Sequence, residues 1–90
     1  MFRLWIRLVE DNHLLKDMVV SDETYDTRTR KVFNAIEKGC YEMDLPKPIW
    51  LEHTVKDFQI HNKCRFTKDA FIEDVSFDYM EIQVIEEDDY

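Results

Sequence analysis

The stretch Phe2-Arg3-Leu4-Trp5-Ile6-Arg7-Leu8-Val9-Glu10-Asp11-Asn12-His13-Leu14-Leu15-Lys16-Asp17-Met18-Val19-Val20 decides the fold. Residues 2–9 alternate. Phe2, Leu4, Ile6 and Leu8 share one face; Arg3, Trp5, Arg7 and Val9 share the other. A period of two over that length is a strand signal. Asp11-Asn12-His13 reads as a turn, because Asp and Asn tolerate the left-handed region. Residues 14–20 return as a second apolar run. A three-residue loop over 11–13 pairs Arg7 with Asp17, Ile6 with Met18, Trp5 with Val19 and Leu4 with Val20. A slip of one residue sets Asp17 against Leu8 or Ile6 and buries its charge, so the first register is preferred. It leaves one face apolar and gathers Trp5, Arg7, Asp17 and Val19 on the other. A Trp on the polar face implies partial cover or an interaction surface.

Outward from the hairpin, residues 21–26 form a polar connector, and Asp26 or Thr27 is placed to cap a helix. Val32, Phe33, Ile36, Cys40 and Met43 make its apolar stripe. Gly39, the only glycine, costs about 1 kcal/mol in mid-helix, so close approach of helix to sheet is expected there. Pro46 ends the helix, and Pro46-Lys47-Pro48 forms an extended elbow. Ile49-Trp50-Leu51 reads as a short strand or as an extended segment covering the core. Thr54 and Asp57 resemble a capping box for a second helix with a stripe of Val55, Phe58, Asn62 and Phe66. Thr67 can cap one further turn carrying Ala70 and Phe71. From Val75 the period returns to two, with a parity switch at 79–80 that suggests a bulge or a strand burying opposite faces. The expected class is α+β: one domain over 1–85 in the order β-β-α-(short β)-α-β, then an acidic tail over 86–90. The sheet is mostly antiparallel with three or four strands, and two helices cover one face. Leu4, Ile6, Met18, Val20, Phe33, Ile36, Phe58, Ile82 and Val84 are the expected core.

Composition narrows the function. The chain has 90 residues, 44% apolar, and a formal net charge of −8. That suffices for one core and is too apolar for a disordered chain. One glycine and two prolines exclude glycine-rich phosphate loops and dinucleotide fingerprints. No apolar run approaches the ~20 residues of a spanning helix. Arg3 and Arg7 interrupt the N-terminal segment, so a signal peptide is not expected and the cytosol is the expected compartment. Cys40 and Cys64 are then expected as free thiols. The acidic surface disfavours broad nucleic-acid binding by repelling phosphate.

Chemistry-bearing patterns are sparse. His61 and Cys64 stand three apart on the expected second helix, but a zinc site needs a second close pair, so no metal or other cofactor is expected. Lys63 and Arg65 flank Cys64 and would lower its pKa, making it the best reactive-thiol position; no orienting group accompanies it, and no catalytic residue is assigned. Two basic clusters interrupt the acid. Arg28, Arg30 and Lys31 open the first helix against its dipole; Lys63, Arg65 and Lys68 form the second cluster, with Phe66 between them. Arg28, Arg30, Lys31, Lys63 and Arg65 together form an expected patch for an anion or an acidic partner, although neutralising nearby acids is the plainer account. Trp5, Trp50, Tyr25, Tyr41 and Tyr79 exceed what so small a core can hold without partners for their polar tips, and Trp and Tyr left outside are typical of binding surfaces.

The runs Asp26-Thr27-Arg28-Thr29-Arg30-Lys31-Val32-Phe33, Pro48-Ile49-Trp50-Leu51, Phe66-Thr67-Lys68-Asp69-Ala70-Phe71-Ile72-Glu73 and Tyr79-Met80-Glu81-Ile82-Gln83-Val84-Ile85-Glu86-Glu87-Asp88 resemble a family of short uncharacterised proteins of anaerobic clostridial-type bacteria. The resemblance implies a bacterial cytosolic origin and brings no activity, cofactor or functional residue. The expectation is therefore a small acidic, non-enzymatic accessory domain that binds a protein partner or a second copy of itself. The alternatives are an acidic modulator of a nucleic-acid-binding protein, or a minimal nucleic-acid or anion binder through Arg28, Arg30, Lys31, Lys63 and Arg65.

Overall fold

The computed structural model describes residues 1–87. Four strands, β1 (Phe2–Glu10), β2 (His13–Asp22), β3 (Lys63–Thr67) and β4 (Tyr79–Glu86), form one open antiparallel sheet in the order β2-β1-β4-β3. Two helices, α1 (Arg28–Glu42) and α2 (Glu52–His61), cover one side of it. The expected α+β class holds. Glu86 belongs to β4, where it pairs with Arg3, so the expected acidic tail loses its first residue to the sheet. The rest of that tail, beyond Glu87, lies outside the described residues.

The hairpin has the expected register: Arg7 opposite Asp17, Ile6 opposite Met18, Trp5 opposite Val19, Leu4 opposite Val20. Its loop is shorter than expected. Asp11 (φ 50°) and Asn12 (φ 64°) form a two-residue turn, and His13 already pairs with Glu10. Two left-handed residues match the strand twist, and Asp and Asn are the side chains that tolerate them. The leftover residue becomes a β-bulge: Leu8 pairs with Lys16 and Val9 with Leu14, which leaves Leu15 over.

Thr27 caps α1 by accepting a hydrogen bond from the Arg30 N–H. The helix stops before the proline: Met43 is its C-cap, and Asp44 is left-handed at φ 54°. Gly39 lies against the sheet as expected. A Cβ there would overlap Ile6 Cδ1 and lie 3.7 Å from Met18 Sδ, so α1 sits close enough to β1 and β2 that any side chain at this point requires Ile6 to shift.

The second half departs further from expectation. Thr54 is no cap. α2 begins at Glu52 after Leu51, and Thr54 is a buried residue inside it. The stripe ends with the helix: Asn62 is left-handed (φ 57°), its N–H closes on the Phe58 carbonyl, and the chain turns into β3. Phe58 and Phe66 are eight residues apart, which fits one helical face; a helix that stops at Asn62 and a strand that starts at Lys63 deliver Phe66 to the same core. Thr67 precedes a single 3-10 turn, Lys68–Ala70. β4 starts only at Tyr79. The apparent strand before it is an irregular segment that buries Phe77 edge-on against Phe71 at 5.4 Å, so the parity switch marks an element boundary.

Ile49–Leu51 covers the core without joining the sheet. The Ile49 N–H donates to the Ala70 carbonyl (2.7 Å), and the Trp50 ring meets Phe66 (4.9 Å), Phe58 (5.6 Å) and Phe33 (6.0 Å) edge-on. Of the expected core, Leu4, Ile6, Val20, Ile36, Phe58 and Ile82 are buried, while Met18 and Val84 are partly so. Phe33 is 49% exposed because it lies on the outer margin of the stripe, facing the groove between the helices.

Candidate functional site: the helix-free sheet face

Strand alternation builds a second surface behind the core. Cross-strand neighbours share a face, so the register places Asp17 and Val19 of β2, Trp5 and Arg7 of β1, Tyr79, Glu81 and Gln83 of β4, and Lys63 and Arg65 of β3 together, away from the helices. The four residues singled out from the hairpin are therefore adjacent.

Their bonding differs from the simple pair expected. Arg7 stands opposite Asp17, yet its guanidinium turns to β4, where Nη2 pairs with Glu81 and donates to Gln83 Oε1 at 2.9 Å. Glu81 is only 12% exposed, and a half-buried carboxylate attracts a guanidinium more strongly than the solvated Asp17 does. Asp17 Oδ2 instead accepts from the Trp5 indole N–H at 2.9 Å. The Arg7 guanidinium covers the Trp5 ring 3.9 Å from its centroid. Glu81 also accepts from Arg65 Nε at 2.8 Å, and Arg65 lies 4.4 Å from the Tyr79 ring centroid. That hydrogen bond, together with the carboxylate's charge, raises the Arg65 pKa and keeps the guanidinium protonated. Two guanidiniums, each over an aromatic ring, thus share the Glu81 carboxylate across three strands. Trp5 is held in one orientation while remaining partly exposed.

The face also carries a small cationic excess. It carries Arg3, Arg7, Lys63 and Arg65 against Asp17, Glu81 and Glu86, four cations to three anions, in a chain of net −8.

The remaining cations do not join it. Arg28 opens α1 with Nη2 on Asn62 Oδ1 (2.6 Å), Nε on Glu87 (2.5 Å) and its guanidinium 5.2 Å from the Phe58 ring centroid. Arg30 is largely exposed and 3.9 Å from Asp26. Lys31 is 2% exposed, because its position on α1 turns it inward. The five residues expected as one basic patch thus occupy separate places, with Lys63 and Arg65 on the sheet face, Arg28 and Arg30 at the start of α1, and Lys31 inside.

A shallow cleft of about 230 Å³ runs between α1 and α2 over Trp50 and Phe33, with Arg28 at its rim. The thiols lie elsewhere. Cys64 is a β3 residue whose side chain points into the core, whereas Lys63 and Arg65, its neighbours in the strand, point to the opposite face. The activating cations are therefore on the wrong side. Burial pushes the Cys64 thiol up to about 12, with the charges of Asp57 and Glu81 adding to the rise. Burial likewise pushes Cys40 up to about 11 against a lowering by Lys47. Among the described residues no group of three or more His, Cys, Asp or Glu side chains could hold a metal ion, and no helix is long and apolar enough to cross a membrane.

Trp5, Arg7, Asp17 and Val19 were readable from the hairpin alone. Tyr79, Glu81 and Gln83 were missed as a set. Their signal was present in β4, where polar or amphipathic residues at 79, 81 and 83 alternate with Met80, Ile82 and Val84. No known protein family, curated protein or solved structure matches the chain.

Proposed function

We propose that this protein is a small accessory module that docks a protein partner on the helix-free face of its sheet. The observation that carries this reading is the fixing of Trp5 between the Arg7 guanidinium and the Asp17 carboxylate. The exposed part of an indole gains little from being held. Before a partner arrives, the same restraint removes ordering entropy that binding would otherwise cost. Trp, Tyr and Arg are also the residues that dominate binding energy at protein interfaces, and this face presents all three. Its cationic excess within an acidic molecule favours a partner surface with carboxylates, for which Arg65 and Lys63 are the exposed counterparts.

A photo-crosslinking residue at Lys63, on this face, is expected to capture a partner in the source cell. The capture should vanish in the Trp5→Ala background, whereas the same group at Ile60, exposed on α2, should capture little. Equal capture from Ile60, or capture from Lys63 that survives Trp5→Ala, would contradict the reading.

A further inference from the structure

We infer that the β2 edge pairs with β2 of a second copy, continuing the sheet across a two-fold axis at Val19. This edge shares Asp17 and Val19 with the docking face proposed above, but its pairing runs through the β2 backbone and needs no partner on that face. β2 is a terminal strand of the sheet and runs for ten residues, from His13 to Asp22, with Leu14, Leu15 and Val19 about half exposed. Beyond the bulge at Leu15, a long edge with apolar side chains is a template for another strand.

The outward-facing backbone groups can be assigned. The Val9 carbonyl accepts from the Asp78 N–H, so Val9, and with it Arg7 and Trp5, direct their backbone groups toward β4. The intervening residues Ile6 and Leu4 bond to β2 through their partners Met18 and Val20. Asp17, Val19 and Ser21 therefore present their N–H and C=O groups to the free edge.

Few registers are open to such a pair. A two-fold axis perpendicular to the sheet keeps each face on its own side, so residues may pair only with others of the same face. Centring on Asp17 opposes two like charges. Centring on Met18 sets Asp17 against Val19 and Lys16 against Val20. Centring on Val19 instead opposes Val19 to Val19, Met18 to Val20, Asp17 to Ser21 and Lys16 to Asp22, and every pair other than the central one occurs twice. This last register is complementary in both charge and polarity, and it uses the three outward-facing residues as its hydrogen-bonded pairs. α1 lies over β1 and β2 at Gly39. Two copies of α1 would then run side by side at about 10 Å, an ordinary helix-packing separation that adds helix flanks to the strand contact.

Sedimentation equilibrium of the full chain tests this. A dimer that dissociates on dilution is expected. Val19→Lys places two ammonium groups opposite each other on the axis and should weaken the dimer at least about tenfold. Ser21→Lys faces Asp17 of the second copy twice and should tighten it severalfold. Both positions are exposed, so circular dichroism should remain that of the parent. Trp5→Ala should leave the dimer intact, which separates this edge from the docking face. A monomer at about 1 mM, well above the range of specific complexes, would overturn the inference. So would a dimer indifferent to Val19→Lys, or one lost in Trp5→Ala, which would place assembly on the face.

Discussion

Ile6 and Arg7 are neighbours in one strand, and the two sides of the sheet they serve are held by different physics. Ile6 has no exposure and lies under Gly39 of α1. On that side, free energy comes from apolar area removed from water and from close packing. Arg7 is 17% exposed and lies between Glu81, Gln83 and the Trp5 ring. On that side the side chains are only partly buried, and charged hydrogen bonds fix where they point. The lesson is that order does not require full burial. The roofed face is ordered because it is buried, while the open face is ordered by its charged hydrogen bonds although it is only partly buried. Order with side chains still partly in water is the state expected of a surface that binds something else.

Substitutions can break this contrast. The largest loss is expected at Phe66, which is fully buried against Trp50. Phe66→Ala should cost about 4 kcal/mol in urea unfolding and alter Trp50 emission; a loss below about 1 kcal/mol would mean that the roof does not carry the fold. Glu81 comes next, because it joins Arg7 and Arg65 at 12% exposure. Glu81→Ala should cost about 2 kcal/mol by stranding the Arg7 guanidinium. Arg65→Ala, which removes a side chain 60% exposed, should cost no more than about 0.5 kcal/mol.

The thiols give a pH-dependent test of the roofed side. In the unfolded chain they ionise near 9.0, and in the folded protein at about 11 for Cys40 and about 12 for Cys64. The folded state binds their protons more tightly. Their contribution is therefore complete below pH 9 and is lost as pH rises through the folded values, at about 1 kcal/mol per pH unit for each thiol. Cys40→Ala should flatten the alkaline decline in melting temperature. Labelling by a thiol reagent at neutral pH should proceed only on unfolding, and rapid labelling of the native protein would contradict the burial of both groups. The smallest effect belongs to Arg30, 74% exposed: Arg30→Ala should change stability by less than about 0.5 kcal/mol.

The hairpin was legible because its two signals agree. Alternation fixes the faces, and the cost of burying Asp17 fixes the register. The bulge at Leu15 was not legible, since Leu14-Leu15 is apolar whichever residue is left over. Around Asn62 the pattern was ambiguous in kind: Phe58 and Phe66 satisfy a helix, and only the left-handed Asn62 reveals the break. On the open face, Trp5, Arg7, Asp17 and Val19 could be grouped from one hairpin, but the partner of Arg7 could not. Glu81 arrives from a strand more than seventy residues away, and no local spacing encodes which strand pairs with β1 on its second edge. Lys31 shows the same limit, since a helix-opening basic run does not state which of its members turns inward.

Urea unfolding of Ile6→Ala beside Trp5→Ala probes the contrast between the faces with two adjacent residues. Ile6→Ala should lose about 3 kcal/mol, and Trp5→Ala about 1 kcal/mol despite removing the larger side chain. If Trp5→Ala cost as much as Ile6→Ala, the indole would be a structural residue and the open face a second core.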